Sequence, residues 1–138
     1  MSDTSGNEYQ ALHDFVSTNA GKTLGARERF EFGELMVYAR IAGRLIEGTM
    51  QWTLDLADVE IRNEDARGQG HFSRFLERAE QAAEAHGLAV YVQSILNPML
   101  LEILVAKGYS LCSGEWSIYD AHLSVTAMQS RAKIALTT

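Results

Sequence analysis

One cysteine stands among the 138 residues, no apolar run is long enough to cross a membrane, and basic residues are in deficit. The lone Cys112 cannot close an internal disulfide, which fits a reducing compartment and places the chain in the cytoplasm. It also cannot complete a zinc site with His13, His71, His86 or His122, which lack ligand spacing, so no metal is expected. A membrane span needs ~18 consecutive apolar residues, and the first thirty residues carry no signal-peptide core; neither a span nor a secretory leader is expected. The 12 Lys and Arg against 18 Asp and Glu leave a formal charge of −6. That balance, without a basic stripe, is a poor match for a phosphate backbone, so nucleic acid is not an expected partner and a small molecule or protein is. What is present is 46% apolar residues, which excludes wholesale disorder. The length suits one domain over residues 1–138, able to bury roughly 68–70% of its unfolded surface.

The periodicity sets out an order of elements. Residues 1–7 are small and polar and read as a frayed tail. Ala11, Leu12, Phe15 and Val16 share one side of a short helix that Asn19-Ala20-Gly21 stops. Lys22 to Glu31 has no clear period and reads as loop or a second short helix. Leu35 to Ala42 is dense in β-formers, with a turn expected at Gly43-Arg44 into Leu45–Met50. Trp52, Leu54 and Leu56 alternate with polar residues, but Val59 and Ile61 fall in the opposite phase, which predicts a bulge or short turn near Ala57-Asp58. The period then changes to 3.6: Phe72, Phe75, Leu76, Ala79, Ala82 and Ala83 form one helical face, opposite Arg74, Glu77, Arg78, Glu80, Gln81 and Glu84. Leu88 to Val92 is a buried strand, and Asn97-Pro98 opens a helix that ends at Gly108. Tyr109–Cys112 and Trp116–Tyr119 read as a hairpin about Gly114, and residues 120–138 as a helical extension, a candidate surface for a second subunit. The order is that of an α/β chain with a mixed sheet.

The segment Arg67-Gly68-Gln69-Gly70-His71-Phe72-Ser73 joins a strand to the amphipathic helix. Gly68 and Gly70 let backbone N–H groups turn into one concavity, where the orphan donors and positive end of the helix also point. That combination is a phosphate cradle that needs no metal; Arg67 adds charge and Ser73 a hydroxyl. A glycine turn that merely caps a helix is the plainer reading, and the strand-to-helix context argues against it. By contrast Gly21-Lys22-Thr23 only imitates the end of a P-loop, because Val16 stands where that motif needs glycine. Cys112 has no nearby His and reads as a structural thiol.

Arg67-x-x-Gly70 after a strand resembles the pyrophosphate motif of the GCN5-related N-acetyltransferases, usually R/Q-x-x-G-x-G/A. Asn97, Gly108 and Tyr109 resemble that family's Asn…Gly-Phe segment, and residues 8 to 120 follow its order of elements. Within the family the wording is closest to small, divergent phage-like members, which would make a host protein the partner. The resemblance implies an acyl-CoA N-acyltransferase fold, a mixed and mostly antiparallel sheet flanked by helices. It implies acetyl-CoA, or another acyl-CoA, as cofactor, with the pyrophosphate on Arg67, Gly68, Gln69, Gly70, His71, Phe72 and Ser73. The pantetheine arm would lie along Val59, Ile61 and Arg62, and Asn97 would line the gap between the central strands. The activity implied is acetyl transfer to a primary amine by direct attack, which needs a base for the amine proton and an acid for the thiolate. Base candidates are Glu60, first, and Asp55, with Asp58 beside them; all three otherwise read as solvated strand residues. Tyr109 is a candidate acid, with Tyr91 also able to reach the cleft from a strand; both otherwise read as core aromatics. Two positions depart from the family: Phe72 replaces a small residue in the cradle, and Leu104 replaces a frequent acid tyrosine. They motivate the alternative of a module with little or no catalysis that acts by binding another protein.

Overall fold

The computed structural model describes residues 9–61, 70–95, 98–113 and 119–130. Helix α1 (Gln10–Asn19) is followed by strands β1 (Arg27–Phe32), β2 (Leu35–Ile46) and β3 (Thr49–Ile61). Helix α2 (His71–Ala85), β4 (Ala89–Ile95), α3 (Pro98–Ala106), β5 (Ser110–Ser113) and β6 (Tyr119–Leu123) complete the order. The six strands form one sheet in the order β1-β2-β3-β4-β6-β5, antiparallel throughout except for the parallel pair β3 and β4. The mixed, mostly antiparallel sheet with helices is the architecture expected from the sequence.

Alternation in the strands gives the sheet two different faces. Ile41, Leu54, Val90 and Leu123 lie in register across four strands, as do Ala39, Leu56, Val92 and Ala121, and all are buried. These rows join Leu12, Phe15 and Val16 of α1, Phe72, Phe75, Leu76 and Ala79 of α2 and Leu104 of α3 in one core. Phe32 stacks on Phe75 with centroids 5.6 Å apart, which ties β1 to α2. The opposite face carries the in-register row Arg40, Asp55, Tyr91 and His122. One face is therefore oil and helices, the other polar.

Three boundaries differ from the sequence reading. Residues 27–32, read as loop or helix, form edge strand β1, in which only Phe30 and Phe32 turn inward. Strand β2 runs unbroken through Gly43-Arg44, and the turn comes at Glu47-Gly48 instead. Both turn residues have positive φ, 52° and 82°, the requirement of a two-residue type I′ hairpin. Glutamate is a poor occupant of that region, whereas asparagine tolerates it. Replacing Glu47→Asn should therefore stabilise the fold by about 0.5–1 kcal/mol, measured as a rise in urea midpoint at constant slope; a fall would contradict the turn geometry. Finally, residues 120–123, placed in a helical extension, belong with Tyr119 to β6, and helix begins only at residue 125. Ser124 caps it, its Oγ accepting the N–H of Ala127 at 3.1 Å.

The helix ends follow their glycines. Gly87 (φ 70°) closes α2 while the Leu88 N–H donates back to the Ala83 carbonyl at 2.8 Å, and Gly108 (φ 93°) closes α3 with the Tyr109 N–H on Leu104 at 3.0 Å. The tail 1–7, Gly114, Trp116 and residues 131–138 lie outside the described residues.

Candidate functional site

The parallel pair β3–β4 is short. It is paired from Thr53↔Ala89 to Leu56↔Val92, yet β3 continues to Ile61 and β4 to Ile95 with no ladder between them. Each strand carries one extra residue just past that point. Against β2, Met36 pairs with Glu60 and Tyr38 with Ala57, so β3 has a bulge at Asp58-Val59, where the phase change predicted one. Against β6, Val92 pairs with Ala121 and Ile95 with Tyr119, so β4 bulges at Gln93-Ser94. Asp58 and Ser94 have φ of 51° and 52°, left-handed values that are rare for residues other than glycine. In the parallel register these two residues stand at the same height. Matched bulges thus turn the central strands apart and open a split in the middle of the sheet.

Cavities lie on both sides of the split. On the helix face, a cavity of about 250 Å³ is lined by Ile61, by Gly70, His71, Phe72 and Ser73 at the start of α2, and by Met99, Leu100 and Ile103 of α3. Gly70 is the α2 N-cap in a left-handed conformation, with no side chain capping the helix. Among the described residues no side chain caps the N–H groups of the first turn. A Cβ on Gly70 would sit 3.1 Å from Arg74 Nη1, and Arg74 Nη2 lies 3.3 Å from His71 Nδ1. Arg74, read from the helical wheel as a solvated residue, is exposed, and from one turn inside the helix its guanidinium reaches back beside Gly70 and His71. Phe72 does not crowd this cavity as its size suggests, because its ring is turned into the core against Phe75.

On the polar face, cavities of about 410 and 200 Å³ share Tyr38 and Asp58. Arg29, Met36, Val37, Val59 and Glu60 complete the larger, and Arg40, Asp55, Ala57 and Gln93 the smaller. Glu60 and Asp58 are exposed there. Asp55 is not the solvated strand residue expected from alternation, because the central strand is covered on both faces. It is 1% exposed; Arg44 Nη2 donates to it at 2.8 Å, Arg40 Nη2 at 3.0 Å and Thr53 Oγ1 at 2.7 Å. Burial opposes the charge of Arg44 most strongly, but the bond to Asp55, the Asp55 charge and then Tyr91 and Asp120 outweigh it and raise its pKa. Both Asp55 oxygens are thus committed to guanidinium groups.

Tyr109 is likewise committed. Its hydroxyl donates to Glu80 Oε2 at 2.8 Å, beneath α2 and away from the cradle. Glu80, placed by the wheel on the solvated side, is buried by this contact. Leu104 is wholly buried in the core. Of the cofactor candidates, Val59, Ile61, Gly70, His71, Phe72 and Ser73 are brought to the split or its helix-side cavity. Arg62, Arg67, Gly68, Gln69 and Asn97 lie outside the described residues. Among the described residues no helix is long and apolar enough to cross a membrane.

No family model and no curated protein matches the sequence. Solved structures do match by shape. A point mutant of the AtaT toxin, bound to the C-terminus of the antitoxin AtaR and acetyl-CoA, is 13% identical over 70% of this chain, with a TM-score of 0.50. The match spans 61% of that AtaT chain's length, so this chain corresponds to a part of it. A chain of the KacTA–DNA complex is 14% identical, over 90% of this chain and 85% of its own, with a TM-score of 0.54. At such identity the likeness speaks for backbone architecture. With the split parallel pair, the helix-side cradle and these neighbours together, the chain has the acyl-CoA N-acyltransferase fold.

Proposed function

We propose that the chain is an acetyl-CoA-dependent N-acetyltransferase acting on a primary amine of a protein or small molecule. One observation carries the reading: the parallel pair ends at Leu56 and Val92, with a cavity at the start of α2 on the helix face and cavities beside Asp58 on the polar face. A neighbour of the same fold was solved with acetyl-CoA bound, which supports that cofactor for this chain. In this reading the pyrophosphate lies on the first-turn N–H groups of α2, with Ser73, Arg74 and Arg67 beside it. The pantetheine arm runs along Val59, Ile61 and Arg62, and Asn97 borders the gap. The acceptor enters from the polar face, so donor and acceptor meet without a covalent enzyme intermediate.

The chemistry is attack of a neutral amine nitrogen on the thioester carbonyl. A C–N bond forms, the C–S bond breaks, CoA leaves as thiolate, and the nitrogen loses one proton. Glu60 and Asp58 stand where that proton emerges, directly or through water; Asp55 and Tyr109 are less available because each is held by a partner. The acidic groove also favours a cationic acceptor before it is deprotonated.

Calorimetry with acetyl-CoA, followed by release of free thiol with a panel of primary amines, tests the proposal. Binding with turnover well above the rate without acceptor is expected, and Glu60→Gln should lower turnover about 10²-fold or more with binding intact. Absence of binding would overturn the reading. Leu104, where the related enzymes often carry an acid, favours a second reading: a module that binds acyl-CoA and captures a host protein as a phage product would. Binding without turnover for any amine would support it. The −6 charge argues against nucleic acid as the acceptor; because the KacTA structure contains DNA, salt-dependent retention on DNA is the measurement that would reverse this.

A further inference from the structure

The Ser94 bulge is held from the neighbouring strand. Asp120 of β6 accepts the Ser94 N–H on Oδ1 at 2.8 Å and the Tyr91 hydroxyl on Oδ2 at 2.5 Å. A left-handed serine in a strand persists only where its surroundings over-determine it. Here one carboxylate satisfies the N–H that the bulge takes out of the ladder and anchors the tyrosine three residues earlier. The Tyr91 ring lies under Arg44, whose Cζ is 3.9 Å from the ring centroid. Arg44 in turn grips Asp55, the register partner of Tyr91 across the last stretch of paired sheet. Asp120, Tyr91, Arg44, Asp55 and Arg40 therefore form a continuous strap over the polar face, from β6 to β2. It crosses from β4 to β3 at the step before the strands separate.

We propose that Asp120 is a positioning residue for acyl transfer: by latching the Ser94 bulge it fixes the opening between β3 and β4 and hence the seat of the thioester. The proposal rests on the acetyltransferase reading above. Asp120 touches no reacting atom in this scheme. It acts through the Ser94 backbone, whose strand forms one wall of the split. The β3 wall needs no equivalent latch in trans, because its bulge at Asp58 is set by the long antiparallel pairing with β2 on both sides of it. The β4 wall is paired over a shorter stretch, and among the described residues its strand pairing beyond Val92 is Ile95 with Tyr119. On that side the bulge is held by the Asp120 side chain.

The test uses acetyl-CoA labelled with ¹³C at the thioester carbonyl, read by its chemical shift when bound, together with hydrogen exchange at the Ser94 amide. In Asp120→Ala, Ser94 exchange should accelerate about tenfold or more, and the bound carbonyl resonance should move toward its free value. CoA affinity by calorimetry should stay within about threefold, since the cradle lies on α2. Asp120→Asn should restore both signals, because its amide oxygen still accepts from Ser94. Tyr91→Phe, which removes one hydroxyl from a buried-edge contact and leaves the carboxylate, provides a variant that folds if Asp120→Ala does not; it should shift the same two signals in the same direction by less. Unchanged Ser94 exchange, or an unchanged carbonyl shift in a variant whose exchange has risen, would overturn the positioning role while leaving the acetyltransferase reading intact. A wild-type protein that binds no acetyl-CoA would overturn both.

Discussion

Replacing Asp55→Ala should lower the stability of the protein by about 3 kcal/mol, the lower end of what is seen when one member of a buried ion pair is removed. The loss arises less from the missing attraction than from what remains. Arg40 and Arg44 would be left facing each other without the carboxylate that separates them, and Thr53 would lose its acceptor. The value sits at the lower end because the two arginine side chains are 37% and 24% exposed, so water can reach part of each charge. For a chain of this length the change corresponds to a fall in melting temperature of roughly 10 °C. Asp55→Asn keeps the shape and one acceptor oxygen and should cost about half as much. The double variant Asp55→Ala with Arg44→Met should be clearly less damaging than the two single changes added together, since it removes a stranded charge. Strict additivity in thermal melts would show that the cluster is not the coupled unit the geometry describes.

The second large effect is expected at Gly70. Its φ of 81° suits glycine, and a side chain would project beside Arg74 at the mouth of the helix-side cavity. Gly70→Val should cost about 1–2 kcal/mol in backbone strain and weaken acetyl-CoA binding at least about tenfold, or 1.4 kcal/mol. Gly87 separates the two effects. It has a similar φ of 70° with nothing within 4 Å of a Cβ, at the other end of α2. Gly87→Val should carry the strain and leave binding unchanged. Equal binding by both variants, measured by calorimetry on folded protein, would remove the pyrophosphate from the α2 cradle.

The parts of this fold that were legible in the sequence are those written in local periodicity. The apolar stripe from Phe72 to Ala83, the glycines that stop α1, α2 and α3, and the phase slip between Leu56 and Val59 each lie within one element and each has its counterpart in the structure. What escaped was set by distant partners. Strand β1 carries Arg27, Glu28, Arg29 and Glu31 because it is an edge whose outward side chains meet water, and so it hides its alternation in two phenylalanines. Gly43 looks like a turn but sits mid-strand, where its missing Cβ faces Leu24 and Met50 in ordinary contact. Asp55 looks solvated because its arginines are eleven and fifteen residues away in the chain. Glu80 looks solvated because Tyr109 is twenty-nine residues away. The site followed the same division: the cradle residues from Gly70 to Ser73 were readable as a motif, whereas the second bulge at Ser94 and its hold by Asp120 were not.

The brevity of the β3–β4 ladder also bears on how the molecule assembles. Strands β1, β2 and β3 follow one another as hairpins and β5 and β6 are neighbours in sequence, whereas β4 reaches β6 across 24 to 33 positions. The two sides are stitched by four residue pairs separated by thirty-six positions. Closing that loop costs more chain entropy than closing the hairpins of β1, β2 and β3. The seam that parts beyond Leu56 and Val92 is thus also the pairing of widest sequence separation among the described strands.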